Sequence, residues 1–194
     1  MDKDYNNQIA RQLEESAGIK RDIARNQTGE IARVAQAIIA AYKAGGKVVF
    51  FGNGGSAADA QHLAGEMVGK LLLNRKAFPA IALNTNSSIL TALANDFGYD
   101  SVFARQVEAL VNKGDVVIGI STSGNSPNVI EGLKAARVKG ARTVGFSGNG
   151  GGKLKDAADM VITVPSDSTP RIQEAHITIG HIVCGLVEAE LAGK

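Results

Sequence analysis

The sequence predicts an α/β protein: a single doubly wound, five-stranded parallel sheet flanked by helices, with a helical arm at the N-terminus. Three observations carry this. Five short apolar runs, at 47–52, 79–84, 115–120, 142–147 and 159–164, alternate with helical patterns. Apolar runs unbroken by polar residues suit strands of a parallel sheet covered on both faces. Two of these runs break directly into turns rich in glycine or serine, each followed by a helical pattern. At 194 residues with no linker, low-complexity stretch or solenoid-length repeat, residues 1–194 read as one domain.

Residues 5–26 form the first helix, with Ile9, Leu13 and Ile23 among Arg, Glu and Lys. Thr28-Gly29-Glu30 interrupts that pattern and starts a second helix. There Ile31, Val34, Ala35, Ile38, Ile39 and Tyr42 recur at i, i+3, i+4, i+7, i+8 and i+11, an amphipathic stripe that Gly45-Gly46 ends. Residues 1–45 are thus the arm. The weaker stripe of the first helix suits packing against another subunit; folding back onto its own sheet is the alternative.

The first strand, Val48-Val49-Phe50-Phe51, runs into Gly52-Asn53-Gly54-Gly55-Ser56 and a helix near 56–70. Helical patterns near 87–95 and 100–112 lead to the third run, Val116-Val117-Ile118-Gly119-Ile120. It breaks into Ser121-Thr122-Ser123-Gly124-Asn125-Ser126 and a helix near 126–139, in which Ser126 reads as N-cap and Pro127 as first helical residue. Further helices fall near 151–157 and 170–192.

Bulk composition excludes several classes. Hydrophobic residues make up 44% and charged residues 21%, with a net charge of +2 and acids and bases mixed along the chain. With no basic block and no Trp, nucleic-acid binding has no support. The lone Cys184 cannot form an internal disulfide. Nothing resembles a signal peptide or a membrane span, so a cytoplasmic protein with no membrane partner is the expectation.

A strand feeding a glycine- or hydroxyl-rich turn at a helix start presents backbone N–H groups to an anion. The hydroxyls of Ser121, Thr122, Ser123 and Ser126 crowd one such turn and fit a phosphate monoester better than they fit packing. The glycine turn fits either a ligand or a tight corner; it lacks the GxGxxG spacing of a dinucleotide site and the Lys of a P-loop. His62 and Glu66, four apart on the helix after that turn, fit a solvated surface pair or two ligands of one metal. Gln173 and His181 lie about 80° apart on the last helix and can face one direction; His181 also fits a core histidine, and His176 is read as one. Asn95-Asp96 suits a C-cap turn or hydroxyl-binding groups.

Gly52-Asn53-Gly54-Gly55-Ser56 with His62 and Glu66, Asn95-Asp96-Phe97-Gly98, Ser121-Thr122-Ser123-Gly124-Asn125-Ser126, and Arg171-Ile172-Gln173-Glu174 with His181 together resemble the bacterial phosphoheptose isomerases of the sugar isomerase (SIS) fold family, which is flavodoxin-like. The resemblance runs from about residue 30 to the C-terminus. It implies conversion of sedoheptulose 7-phosphate to D-glycero-D-manno-heptose 7-phosphate, the first step toward the heptoses of the outer envelope. It also implies a homotetramer with sites at subunit interfaces and one zinc per subunit. The zinc ligands so implied are His62, Glu66, Gln173 and His181. Phosphate would lie on Ser121, Thr122, Ser123 and Ser126, while Asn53, Gly54, Gly55, Glu66, Asn95, Asp96 and Gln173 line the substrate. Isomerisation through an enediol needs a base at carbon and a second group at the oxygens, and Glu66 and His181 are the acid–base pair these blocks supply.

The sequence departs from some family members at Lys70, where they carry Arg, and at Thr169-Pro170, where they place an Asp. A non-catalytic adaptor of the same fold binds the replication initiator, and retention of Glu66 and His181 separates this chain from its pattern. An isomerase for another sugar phosphate is the other alternative. A sugar-phosphate-sensing regulator would need a DNA-binding module, and the first 45 residues show no basic recognition helix.

Overall fold

The computed structural model describes residues 4–148 and 150–192; residues 1–3 of the predicted arm and 193–194 at the end of the predicted domain lie outside them. Helix α1 (Tyr5–Asn26) starts at Asp4, whose side chain accepts the Asn7 N–H. It ends at Gln27, which separates it from α2 (Thr28–Lys43). The Gln27 carboxamide exchanges hydrogen bonds with the backbone of Thr163, so the joint between the two helices is fastened to the domain. The stripe read on α2 is its buried face, through Ile31, Val34, Ala35, Ile38 and Ala41. On α1 only Ser16 and Ile23 are buried, while Tyr5, Ile9 and Leu13 are 60%, 57% and 65% exposed.

Strands β1 (Val48–Gly52), β2 (Ala80–Ala82), β3 (Val116–Ser121), β4 (Arg142–Ser147) and β5 (Met160–Thr163) form one sheet in the order β2-β1-β3-β4-β5. Every pairing is parallel. Helix α3 (Gly55–Val68) links β1 to β2. Then α4 (Ser87–Phe97), a 3-10 turn at Tyr99–Ser101 and α5 (Val102–Leu110) lead to β3. Helix α6 (Pro127–Val138) follows β3, α7 (Leu154–Ala157) follows β4, and α8 (Thr169–Ala192) closes the chain.

Side chains alternate across the sheet, as successive strand residues must. Val48, Phe50, Ile118, Ile120, Val144, Phe146 and Ile162 pack with α2, α3 and α8 on one face. Val49, Phe51 and Val117 pack with Phe103, Val107, Leu133 and Leu154 on the other, where Phe51 stacks on Phe103 at 4.8 Å. Gly119 and Gly145, paired in register, admit the helices of that face. A Cβ at Gly119 would lie 2.9 Å from Val129, and one at Gly145 1.7 Å from Leu154. The helix expected at 151–157 is confined to 154–157 because Gly150, Gly151 and Gly152 all take positive φ (72°, 76° and 55°), outside right-handed helical geometry.

Adjacent strands β1 and β3 send their connections to opposite sides of the sheet. The crevice beyond their carboxyl ends is the position at which doubly wound sheets bind ligands. Both turns singled out in the sequence open there: Gly52 ends β1 and pairs with Ile120, one residue before Ser121 ends β3.

Candidate active site

The glycine turn is shaped by close approach. At Gly52 a Cβ would lie 2.8 Å from both the Ile120 carbonyl and Ser56 Cβ, and Gly54 takes φ of 56° at the start of α3. Asn53 is held by a reciprocal amide pair with Asn128 of α6, each Nδ2 donating to the other's Oδ1 at 2.9 Å. The buried Asn128 therefore ties the glycine turn to the helix that opens at the serine turn. Sequence reasoning missed it; its place two residues after Ser126 was the available signal.

In the serine turn, Ser121 Oγ lies 2.9 Å from Ser126 Oγ and 3.4 Å from Ser123 Oγ. Ser126 precedes Pro127 at the start of α6, but its hydroxyl makes no cap bond and turns into the hydroxyl cluster. Gly124, with φ of 65°, packs so tightly on the loop after β4 that a Cβ would lie 2.2 Å from the Gly151 carbonyl. Hydroxyls at the positive end of a 12-residue helix are suited to cradle an anion.

The start of α8 lies against the glycine turn directly and borders the serine turn across Gly148. A Cβ on Gly148 would meet the Ile172 side chain and the Thr122 carbonyl, each at 2.4 Å, and a Cβ on Gly55 would meet Gln173 Nε2 at 2.4 Å. Gln173 thus lies over the bare backbone of Gly55. Two turns further along α8, His181 Nε2 lies 2.8 Å from His62 Nε2 of α3, with the rings edge to face at 5.0 Å. Glu66 Oε1 is 3.2 Å from His62 Nε2. Two imidazole nitrogens at that separation share one proton or one cation. The ligand atoms of His62, Glu66 and His181 all lie within 4.8 Å of one another, so the group can hold a metal ion.

Asp59 belongs to the same environment and was absent from the sequence reading. Its Oδ2 is buried with no hydrogen-bond partner among the described residues. Burial raises its carboxyl above the usual carboxylate range, with His62 and His181 opposing the rise. Asp59, His62 and Glu66 stand at i, i+3 and i+7, one face of α3, and that spacing was the signal.

Asn95 and Asp96 are exposed at the end of α4, bonded to each other at 2.8 Å, and Gly98 with φ of 84° caps that helix. The segment reaches the glycine turn through Tyr99, whose hydroxyl donates to Asn53 Oδ1 at 3.2 Å. His176 is buried at 1% exposure, its Nε2 3.1 Å from the Ser147 carbonyl. Lys70 is exposed just beyond α3.

Residues 11–148 match the SIS domain family, so fold and site define this class of α/β domain. A phosphoheptose isomerase from Citrifermentans bemidjiense is 60% identical over 157 residues, covering 81% of this chain and 82% of its own length. One from Geobacter metallireducens is 53% identical over 186 residues, covering 96% and 98%. The solved structure of a phosphoheptose isomerase from Neisseria gonorrhoeae superposes with a TM-score of 0.90 at 39% identity, covering 95% of this chain and 99% of the other. The chain belongs to the phosphoheptose isomerase family.

Proposed function

We propose that this chain is an aldose–ketose isomerase converting sedoheptulose 7-phosphate to D-glycero-D-manno-heptose 7-phosphate, early in heptose biosynthesis. One observation carries the reading. A hydroxyl-lined turn at a helix start and a paired His62–His181 group with Glu66 beside it flank the switch point, with α8 carrying Gln173 beside the glycine turn and His181 two turns further on. A sugar phosphate has the same two ends, an anion and a carbonyl.

In this reading the serine turn anchors the phosphate through Ser121, Thr122, Ser123 and Ser126, and the carbonyl end extends toward α3 and α8. Asn53, Gly54, Gly55, Asn95, Asp96 and Gln173 line the sugar. Glu66 removes a proton from C1 of the open-chain ketose and returns it to C2 of the enediol. His181 carries the hydroxyl proton from O1 to O2, so the product differs from the substrate only in where two hydrogens reside. The donor set, two imidazole nitrogens and a carboxylate oxygen with Gln173 on the same helix as His181, fits zinc, one per subunit. When bound, zinc would supply a positive charge that polarises the carbonyl and stabilises the enediolate. Asp59 lies in the electrostatic reach of both histidines.

We assign a homotetramer in which the N-terminal helices meet other subunits chiefly through α1, while the apolar stripe of α2 packs on its own sheet. A groove of about 350 Å³ between α1, α2 and α8, lined mainly by Ile23, Ala24, Ile31, Ile179, Ile182 and Leu186, supports this, as do the exposed apolar residues of α1. Light scattering reads the assembly directly. A cytoplasmic location accords with this chemistry. Helix α8 is long and apolar enough to cross a membrane by length and composition, but it packs on the sheet through Ile172, Ala175, Ile179 and Val183.

The test is turnover by the purified protein and by Glu66→Gln. Wild type forms aldoheptose 7-phosphate, while the variant loses turnover and still binds the sugar phosphate. Near-normal turnover by the variant would remove Glu66 from the role.

A further inference from the structure

Glu66 and His181 stand on different helices, so their separation is set by whatever fastens α3 to α8. Helix α3 ends at Val68, and residues 69–79 carry the chain to β2. This connection folds onto Glu188, seven residues beyond His181 on α8. Glu188 Oε2 accepts the N–H groups of Leu72 at 2.7 Å and Leu73 at 3.0 Å. Its Oε1 accepts Leu71 N–H at 3.0 Å and Arg75 Nε at 2.9 Å. The two side chains are 2% and 4% exposed. Burial alone would raise the Glu188 carboxyl, but the three N–H donors and the Arg75 charge outweigh it and hold it below its ordinary value.

Arg75 spends the rest of its fork on the end of α3. Nη1 donates to Met67 O at 2.9 Å and Lys76 O at 3.0 Å, and Nη2 donates to Glu66 O at 2.8 Å. The helical partner of the Glu66 carbonyl would be the N–H of residue 70, beyond the helix end, so Arg75 supplies the missing donor. A cation there also meets the negative end of the helix. The guanidinium lies 3.9 Å from the centroid of Phe78, which packs on Tyr42 of α2 at 5.1 Å. The backbone of Glu66 is thereby fastened, through one buried ion pair, to the helix that carries His181.

We propose that Arg75 and Glu188 are positioning residues: the pair locks the last turn of α3 to α8 and so fixes the approach of the Glu66 carboxylate and His62 to the His181 imidazole. Its consequence for turnover rests on the function proposed above; its consequence for the His62–His181 contact does not. Displacing a reacting group by about 1 Å costs about a hundredfold in rate, so loosening this tie lowers kcat. KM for the sugar phosphate changes little, because the serine turn lies on β3 and α6, which the pair does not touch.

Removing Arg75 alone leaves a buried, unpaired carboxylate and puts folding at risk. The variant Arg75→Met, Glu188→Gln removes both charges and keeps an amide oxygen for the loop's N–H groups. Arg75→Lys keeps the charge and loses the fork; it carries the same measurements if the double variant fails to fold. With folding verified by circular dichroism, kcat is expected to fall about tenfold or more while KM stays within about threefold. Zinc affinity, read by chelator competition, is expected to weaken by about tenfold or more. The ring nitrogen resonances of His62 and His181, read by NMR without metal or substrate, are expected to move as their hydrogen bond lengthens. A folded variant with wild-type kcat, zinc affinity and histidine resonances overturns the proposal. If wild type itself leaves sedoheptulose 7-phosphate unchanged, the proposed function falls, and the resonances alone decide: moved signals support the tie, unmoved signals overturn it.

Discussion

Replacing His176 by glutamine should flatten the pH dependence of stability between pH 7 and pH 5. The imidazole is buried against Phe146, its ring 5.6 Å away, with Nε2 on the Ser147 carbonyl and Nδ1 without a hydrogen-bond partner among the described residues. Burial, only partly opposed by the Ser147 hydrogen bond, lowers its pKa from 6.5 to about 4. The unfolded chain therefore binds a proton in a range where the folded chain does not. Stability from this group is complete above the unfolded pKa and is lost as pH falls toward the folded one. With those two values the loss is about 2 kcal/mol between pH 7 and pH 5 and about 3 kcal/mol by pH 4. Urea unfolding at fixed protein concentration, followed by circular dichroism at both pH values, measures it. Wild type should lose about 2 kcal/mol more than His176→Gln between pH 7 and pH 5. Equal losses in the two proteins would refute the argument, whatever their absolute stabilities.

Other substitutions separate the site's parts. Gly55→Ala puts a methyl group on Gln173, the end of a flexible side chain that can swing away. Thermal stability should be nearly kept while zinc affinity and kcat fall, and unchanged zinc affinity would detach Gln173 from the metal. Ser126→Ala removes a hydroxyl from the turn proposed to hold the phosphate. One hydrogen bond to a charged group is about 2 kcal/mol, so KM should rise about thirtyfold with kcat nearly kept; a fall confined to kcat in steady-state assays would contradict the phosphate assignment. Gly124→Ala, by contrast, meets backbone rather than a side chain and needs φ of 65°. It should lower the melting temperature as well as activity.

What was legible in the sequence follows from what is local. The five strands were visible because each is an apolar run, buried throughout in β1 and β3 and partly in the edge strands β2 and β5, and the two turns because glycine and serine occur where the backbone must approach closely or present hydroxyls. Even the interruption at Thr28 was readable, although the tie from Gln27 to Thr163 that holds it spans 136 residues and left no local mark. His62 and Glu66 were placed by helical spacing, but their approach to His181 is a tertiary fact. Asp59 and Asn128 escaped for the same reason. Asp59 matters because two histidines from separate helices converge beside it, and Asn128 because its partner is Asn53 on another strand's turn. The Arg75–Glu188 pair is the extreme case, since a loop arginine and a helix glutamate look like ordinary surface charges until burial is known.

In the function proposed above, the His62, Glu66, Gln173 and His181 group isomerises a seven-carbon sugar phosphate with the help of a bound metal. This is tested most directly by incubating metal-stripped protein with sedoheptulose 7-phosphate, before and after adding one equivalent of zinc. Aldoheptose 7-phosphate is expected to form only after zinc is restored. Full turnover by the stripped protein would contradict the metal's part in the chemistry, and no turnover by folded, zinc-loaded protein would contradict the isomerase itself.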